Sequence, residues 1–219
     1  QLFAGALADT PLAPAQRELL DNLQLSVQAM SAQLESLLDV SRLDMGKLLP
    51  QHHDISLEAI FQNLAATYAP VAARAGVSLL FRPASHLVHT DPVLVGRLLG
   101  NLIDNALKFT HPHRGNVLVC ARRDTRDAPG GGLRIEVRDN GPGIDDEHQR
   151  RIFDEYYQAG NPARNPGEGL GLGLAIVQRI ARLLDLPLGL RTRSGQGTTF
   201  FITLPLAGAG AGTGAAPDQ

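Results

Sequence analysis

Apolar positions in the first fifty residues recur with the period of a packed helix. Leu20, Val27 and Leu34 hold one seam position of a heptad, and Leu23, Met30 and Leu37 hold the other. The register predicts a helix from Pro14 to about Lys47, with Pro14 in its first turn and Gly46 near its end. Gln1–Ala8 reads as a short helical remnant and Asp9–Pro14 as a turn, so residues 1–50 outline a helical hairpin. A near-straight helix of about thirty residues outgrows a small domain, which favours a dimeric bundle over one helix laid on its own domain.

From Gln51 the pattern shortens. Strands are predicted at His53–Leu57, Val77–Arg82 and Leu87–Thr90, with a helix over Leu57–Ala75 closed by the Gly76 turn. Asp91 as N-cap and Pro92 at the first helical position open a second helix. Asn116–Arg123 and Leu133–Arg138 read as antiparallel strands, Gly171–Leu184 as a helix, and Leu188–Thr192 with Thr198–Leu204 as a closing hairpin. Mixed helices and strands of this kind predict an α+β domain, a two-layer α/β sandwich, over residues 51–206. Residues 207–219 are Gly/Ala-rich and read as a disordered linker.

The helix that follows Asp91 carries the first candidate chemistry. In Leu94–Thr110, Asn101, Asn105 and Lys108 fall at i, i+4 and i+7 and share one face, with Arg97 and Asp104 at its margin. Leu99, Leu102, Ile103 and Ala106 take the opposite side. Two carboxamides and an ammonium on one strip suit a metal-bound polyphosphate: an Asn carbonyl is a hard oxygen ligand for Mg²⁺, and Lys is a point charge for phosphate. Alone, the strip is better read as the polar face of an ordinary surface helix.

Two glycine-rich segments change that balance. Asp139-Asn140-Gly141-Pro142-Gly143-Ile144 leaves a strand, so one carboxylate stands beside two glycines that let backbone approach a ligand. The carboxylate can accept from the exocyclic amine of adenine. D-N-G also marks any tight turn. Gly167-Glu168-Gly169-Leu170-Gly171-Leu172-Gly173 opens a helix whose backbone N–H groups can cradle phosphate. It is neither a Walker loop, since no G-K-[ST] follows, nor a dinucleotide fingerprint, since loop and not strand precedes it. Between the two segments, Arg151–Gln158 carries aromatics ahead of a Gly/Pro/Asn-rich stretch that reads as a mobile lid, with Arg164 as a phosphate contact.

Composition narrows the classes. The apolar fraction is 43%, the charged fraction 19% and the net charge −2, a globular profile that implies neither nucleic acid nor an anionic membrane as partner. Cys120 is the single cysteine, which excludes intrachain disulfides and a zinc cluster and fits a reducing compartment. No apolar run reaches the length of about 18 residues needed to span a bilayer, so a cytoplasmic fragment without direct membrane contact is expected, whatever anchors the parent protein. The chain starts without Met, signal peptide or twin-Arg motif and opens in mid-helix, as a piece cut from a longer protein would.

In order, N-L-I-D-N-A-L-K-F-T, D-N-G-P-G-I, I-F-D-E-Y-Y-Q and G-L-G-L-G-L-A-I resemble the N box, first glycine box, F box and second glycine box of bacterial sensor histidine kinases. Their catalytic domain belongs to the superfamily that includes gyrase, the large heat-shock chaperones and the mismatch-repair ATPase. The resemblance covers roughly Ser56 to Leu206. Leu37–Leu48 also resembles the end of the second helix of the family's dimerisation and phosphotransfer domain.

The resemblance implies ATP and Mg²⁺ as cofactors and transfer of the γ-phosphoryl to a histidine, for relay to the receiver domain of a response regulator. It implies a homodimer through the helical bundle. Asn105 becomes the Mg²⁺ ligand, Asn101 lines the site and Lys108 meets phosphate. Asp139 reads adenine, with Gly141 and Gly143 admitting the base. Gly169, Leu170, Gly171, Leu172 and Gly173 wrap the phosphates, and Phe153 and Tyr157 anchor the lid. Leu170 stands where the family often has Thr or Ser, and the F box is Phe–Tyr where Phe–Phe is usual. The family's acceptor setting, H-[ED]-x-R-x-P, matches none of the seven histidines; His53-Asp54 has the dipeptide without the Arg or Pro. The acceptor is therefore expected upstream of Gln1, and self-labelling is not expected of this chain. The hydrolytic members of the superfamily carry Glu where Asn101 stands, which weighs against a simple ATP hydrolase. A nucleotide-gated interaction module is the other rival.

Overall fold

The computed structural model describes residues 48–124, 132–159 and 170–207, with scattered positions between 13 and 38. The described positions from 16 to 38 are helical. Leu19, Leu23, Val27, Met30, Leu34 and Leu38, three or four residues apart, leave their side chains exposed along one stripe. Seam residues Leu23, Val27, Met30 and Leu34 lie on that stripe; Leu37, Gln1–Ala8 and the tail from 208 fall outside the described residues.

From His53 onward the elements are β1 (His53–Ser56), α1 (Leu57–Ala75), β2 (Ser78–Phe81), β3 (Leu87–Thr90), α2 (Pro92–Phe109), β4 (Asn116–Asp124), β5 (Gly132–Asp139), the single turn α3 (Asp146–Gln149), α4 (Gly173–Leu183), β6 (Leu188–Thr192) and β7 (Thr198–Pro205). Local chemistry accounts for the helix ends. Asp91 accepts from the amides of Val93 and Leu94, and Pro92, which has no N–H to leave unpaired, starts α2. Gly76 closes α1 in the left-handed region, at φ 66°.

Five strands in the order β2-β4-β5-β7-β6 form one layer, and helices α1, α2 and α4 form the other, as the α+β sandwich requires. The expected antiparallel pairs β4–β5 and β6–β7 are present. Two features go beyond the sequence pattern. Strand β2 runs parallel to β4, through a crossover long enough to hold β3 and α2. β1 and β3 make a separate two-stranded antiparallel sheet.

Leu98, Leu99, Leu102 and Ile103 of α2 are at most 1% exposed and share the core with Leu133 and Ile135 of β5 and Ile202 and Leu204 of β7. Burial of such side chains, about 1.5–3 kcal/mol each, holds the layers together. The sheet's far face is covered by its own charged residues: Arg138 pairs with buried Glu136, Arg134 pairs with Asp124, and the guanidinium groups of Arg134 and Arg191 lie 4.5 and 5.1 Å from the Phe201 ring centroid.

Candidate nucleotide-binding site

The polar strip of α2 lies where the second glycine segment enters α4. A Cβ added at Gly173 would stand 3.3 Å from Asn101 Oδ1 and 3.7 Å from Asn105 Nδ2, so both carboxamides face the first residue of α4. Asn101 is oriented by donation from its Nδ2 to the Arg97 carbonyl, 3.0 Å. The Asn105 amide has no hydrogen-bond partner among the described residues, and its oxygen is free to ligate. The N-cap residue Leu172 has an apolar side chain and gives the first turn of α4 no side-chain hydrogen bond. Backbone donors and the positive helix end there favour an anion.

The C-terminal end of α2 meets the first glycine segment. A Cβ on Gly141 would lie 2.9 Å from the Phe109 carbonyl oxygen and 2.9 Å from Asp139 Oδ1. Asp139 Oδ1 accepts from the amides of Gly141 at 2.8 Å and Thr198 at 3.2 Å. Its Oδ2 accepts from none of the described residues. Burial pushes the Asp139 carboxyl above the usual carboxylate range, against the lowering effect of those two bonds. Gly143 has a physical reason other than approach of a base: at φ 74°, an added Cβ would overlap the Arg193 carbonyl oxygen in the β6–β7 turn. That turn is bound to the segment again where Thr192 Oγ1 accepts from the Ile144 amide, 2.9 Å.

The aromatic segment is fastened to the second glycine segment by backbone. Tyr156, itself at φ 60°, donates its amide to the Gly171 carbonyl, 3.2 Å. A Cβ on Gly171 would meet the Tyr157 carbonyl oxygen at 2.9 Å. Tyr157 holds its hydroxyl 2.6 Å from His148 Nδ1 and its ring beneath Arg151, 4.3 Å away. Phe153 packs edge-on against Phe200 at 6.3 Å. Both aromatics thus pin the segment Arg151–Gln158 to the domain.

Some expectations shift. Leu172 is 2% exposed and buries its side chain in the core, and Leu170 also packs on the core, so neither side chain is turned to a ligand. Lys108 places Nζ 4.9 Å from the Phe109 ring centroid. Asp104, at the margin of the strip, turns to α1, where the Tyr68 hydroxyl donates to it at 3.1 Å. Burial raises the carboxyl, and burial together with the Asp104 charge raises the phenol. Gly100 makes room, since a Cβ there would stand 2.9 Å from the Tyr68 oxygen. Arg164 and Gly169 lie outside the described residues. Thr192, Thr198 and His148 are structural partners that carry no local sequence signal; each acts through a neighbour distant in the chain.

A two-layer sandwich that brings a carboxamide strip, a half-buried carboxylate and two glycine-rich segments around one helix defines a nucleotide-binding domain of the ATPase kind. Residues 90–208 match the family described as histidine kinase-, DNA gyrase B- and HSP90-like ATPase. The autoinducer 2 sensor kinase/phosphatase LuxQ of Vibrio parahaemolyticus is 32% identical over 206 residues, 93% of this chain and 24% of LuxQ. The sensor protein GacS of Pseudomonas syringae is 30% identical over 208 residues, 93% of this chain and 23% of GacS. The solved structure of full-length ShkA in complex with AMPPNP aligns with a TM-score of 0.73 and 28% identity, over 99% of this chain and 43% of ShkA. The chain belongs to this ATPase family, as the catalytic ATP-binding domain of a sensor histidine kinase. It spans about a quarter of the length of the relatives LuxQ and GacS.

Proposed function

We propose that this chain binds ATP with Mg²⁺ and that the whole protein transfers the γ-phosphoryl to a histidine, for relay to a response regulator. One observation carries the reading: Asn101 and Asn105 face the uncapped first turn of α4 while Asp139 keeps one carboxylate oxygen open at the far end of α2. Base and phosphates would lie along one helix. The similar protein ShkA was crystallised in complex with AMPPNP, which supports a nucleotide as the ligand here.

Mg²⁺ fits this donor set. It takes few protein ligands beside phosphate oxygens, and the unpartnered Asn105 carboxamide supplies one; the ion would neutralise phosphate charge. Asn105→Ala should then selectively weaken the Mg²⁺-dependent part of ATP binding. The residues' own contribution is positioning. The α4 amides orient the phosphates, Asp139 orients the base, and Asn101 brings no carboxylate to activate water. The apolar stripe from Leu19 to Leu38 supports a homodimer through the N-terminal helices.

Transfer needs an imidazole in line with the γ-phosphorus. His53 is held in β1 opposite Thr90, and His89 pairs with Asp54 at 2.7 Å while stacking on His52. None of these stands on a helix in the family's acceptor setting. Incubation with γ-labelled ATP, followed by acid and base treatment, is the test. We expect binding without a base-stable, acid-labile label. A base-stable label that disappears in His53→Ala would make His53 the acceptor and overturn this assignment.

A further inference from the structure

The segment that joins the N-terminal helix to the catalytic domain is bound at one point to the capping residue of the nucleotide-site helix. Leu48 packs on the core, Leu49 is exposed, and the Gln51 amide donates to Asp91 Oδ2 at 2.9 Å. The other oxygen of the same carboxylate, Oδ1, accepts from the amides of Val93 and Leu94, both at 3.0 Å. Asp91 is 7% exposed. One buried side chain therefore serves two masters, a linker amide and the first turn of α2.

The surrounding backbone reinforces the link. Strand β1 pairs with β3 through four residue pairs, His53↔Thr90 to Ser56↔Leu87, and β3 runs directly into Asp91. The Leu57 amide donates to the His86 carbonyl at 3.0 Å, which closes the far end of this strand pair. Linker and β3 thus form one ribbon that ends on the N-cap of α2. A rigid helix transmits displacement along its axis, and Asn101, Asn105 and Lys108 lie roughly three to five turns beyond that cap.

We propose that Asp91 is a positioning residue that ties the linker to α2, so that the set of the nucleotide-binding side chains follows the position of the incoming N-terminal helix. Coupling is reciprocal: a linker that biases α2 changes nucleotide affinity, and nucleotide bound along α2 must order the linker. This inference rests on the nucleotide-site reading above.

Two variants separate the cap from the tether. Asp91→Asn keeps a carbonyl oxygen for Val93 and Leu94, and Asn is among the best N-caps, but it turns an NH₂ donor toward the Gln51 amide. Gln51→Pro removes the linker amide and leaves Asp91 untouched; Gln51 lies outside the β1–β3 pairs, so no ladder bond is lost. The measurements are calorimetric ATP affinity and amide hydrogen exchange with and without ATP, for the 219-residue chain, both single variants and the double variant.

In the parent chain, ATP should slow exchange across residues 51–56. Each variant should abolish that slowing and weaken ATP binding by a common factor on the order of tenfold. The double variant should lose no more than either alone, because one bond is removed in all three. Exchange at Leu98–Ile103 without nucleotide reports whether the core of α2 remains folded, and a variant that fails this control is replaced by the other single variant. If both folded variants bind ATP as the parent does, or their losses add, the tether is refuted. If the parent chain binds no ATP, the nucleotide-site reading fails and takes this inference with it.

Discussion

Asp139 offers the sharpest test of what the site reads. Its Oδ1 is committed to the amides of Gly141 and Thr198, while Oδ2 accepts from none of the described residues. Adenine presents an amine to such an oxygen, and guanine presents a carbonyl. With guanine, two acceptors meet in a half-buried place and one hydrogen bond to a charged group is lost, a difference of about 1–3 kcal/mol. ATP should therefore bind about 5- to 150-fold more tightly than GTP. Asp139→Asn retains a carbonyl oxygen for the two amides and turns an NH₂ toward the base, so it should cost a similar factor without unfolding the domain. Titration calorimetry with both nucleotides, beside thermal melts, measures this. Equal affinities for ATP and GTP, or an Asn variant that binds ATP as the parent does, would refute the assignment.

The same carboxylate makes the affinity depend on pH. Burial raises its folded value, and protonation converts an acceptor to a donor. ATP binding should weaken as pH falls through that raised value, earlier than for an ordinary carboxylate, and the Asn variant should lack this dependence. For folding the sign is reversed. A folded pKa above the unfolded one means that the native state holds the proton more tightly, so this group's stabilising contribution is present at low pH and lost as pH rises through the folded value.

Other outcomes follow from the packing. Gly143 and Gly195 have nearly the same φ, 74° and 75°, but an added methyl meets the Arg193 carbonyl at the first and open space at the second. Gly195→Ala should thus cost only the left-handed strain, ~1–2 kcal/mol, and Gly143→Ala clearly more; denaturant midpoints compare them, and equal losses would count against the close approach. Tyr68→Phe should raise the Asp104 pKa further, because the phenol's hydrogen bond favours the ionised carboxylate. The variant should be less stable by about 1 kcal/mol at neutral pH and approach the parent below the Asp104 titration, as melts across pH would show.

Much of the domain was legible along the chain because its causes are local. The 3.6-residue period divides α2 into a buried face, Leu99, Leu102, Ile103 and Ala106, and a polar strip, Asn101 and Asn105, without reference to any other element. Asp91-Pro92 and Gly76 set helix ends through groups only a few residues away. The glycine segments and their order carried the family resemblance. Tertiary structure decided what those residues face. Asp139 receives the Thr198 amide from 59 residues away because β5 pairs with β7, and no local pattern selects one strand partner from several. Gly143 owes its identity to the Arg193 backbone across the β6–β7 turn, and Gly173 sits against the two carboxamides only once α2 and α4 have packed. The bond from Gln51 to Asp91 spans 40 residues and joins an unremarkable coil amide to a cap whose second oxygen the sequence leaves unassigned. Periodicity and capping are short-range and read directly from residue order; partner choice is settled by which arrangement buries the whole core, a property of the folded chain.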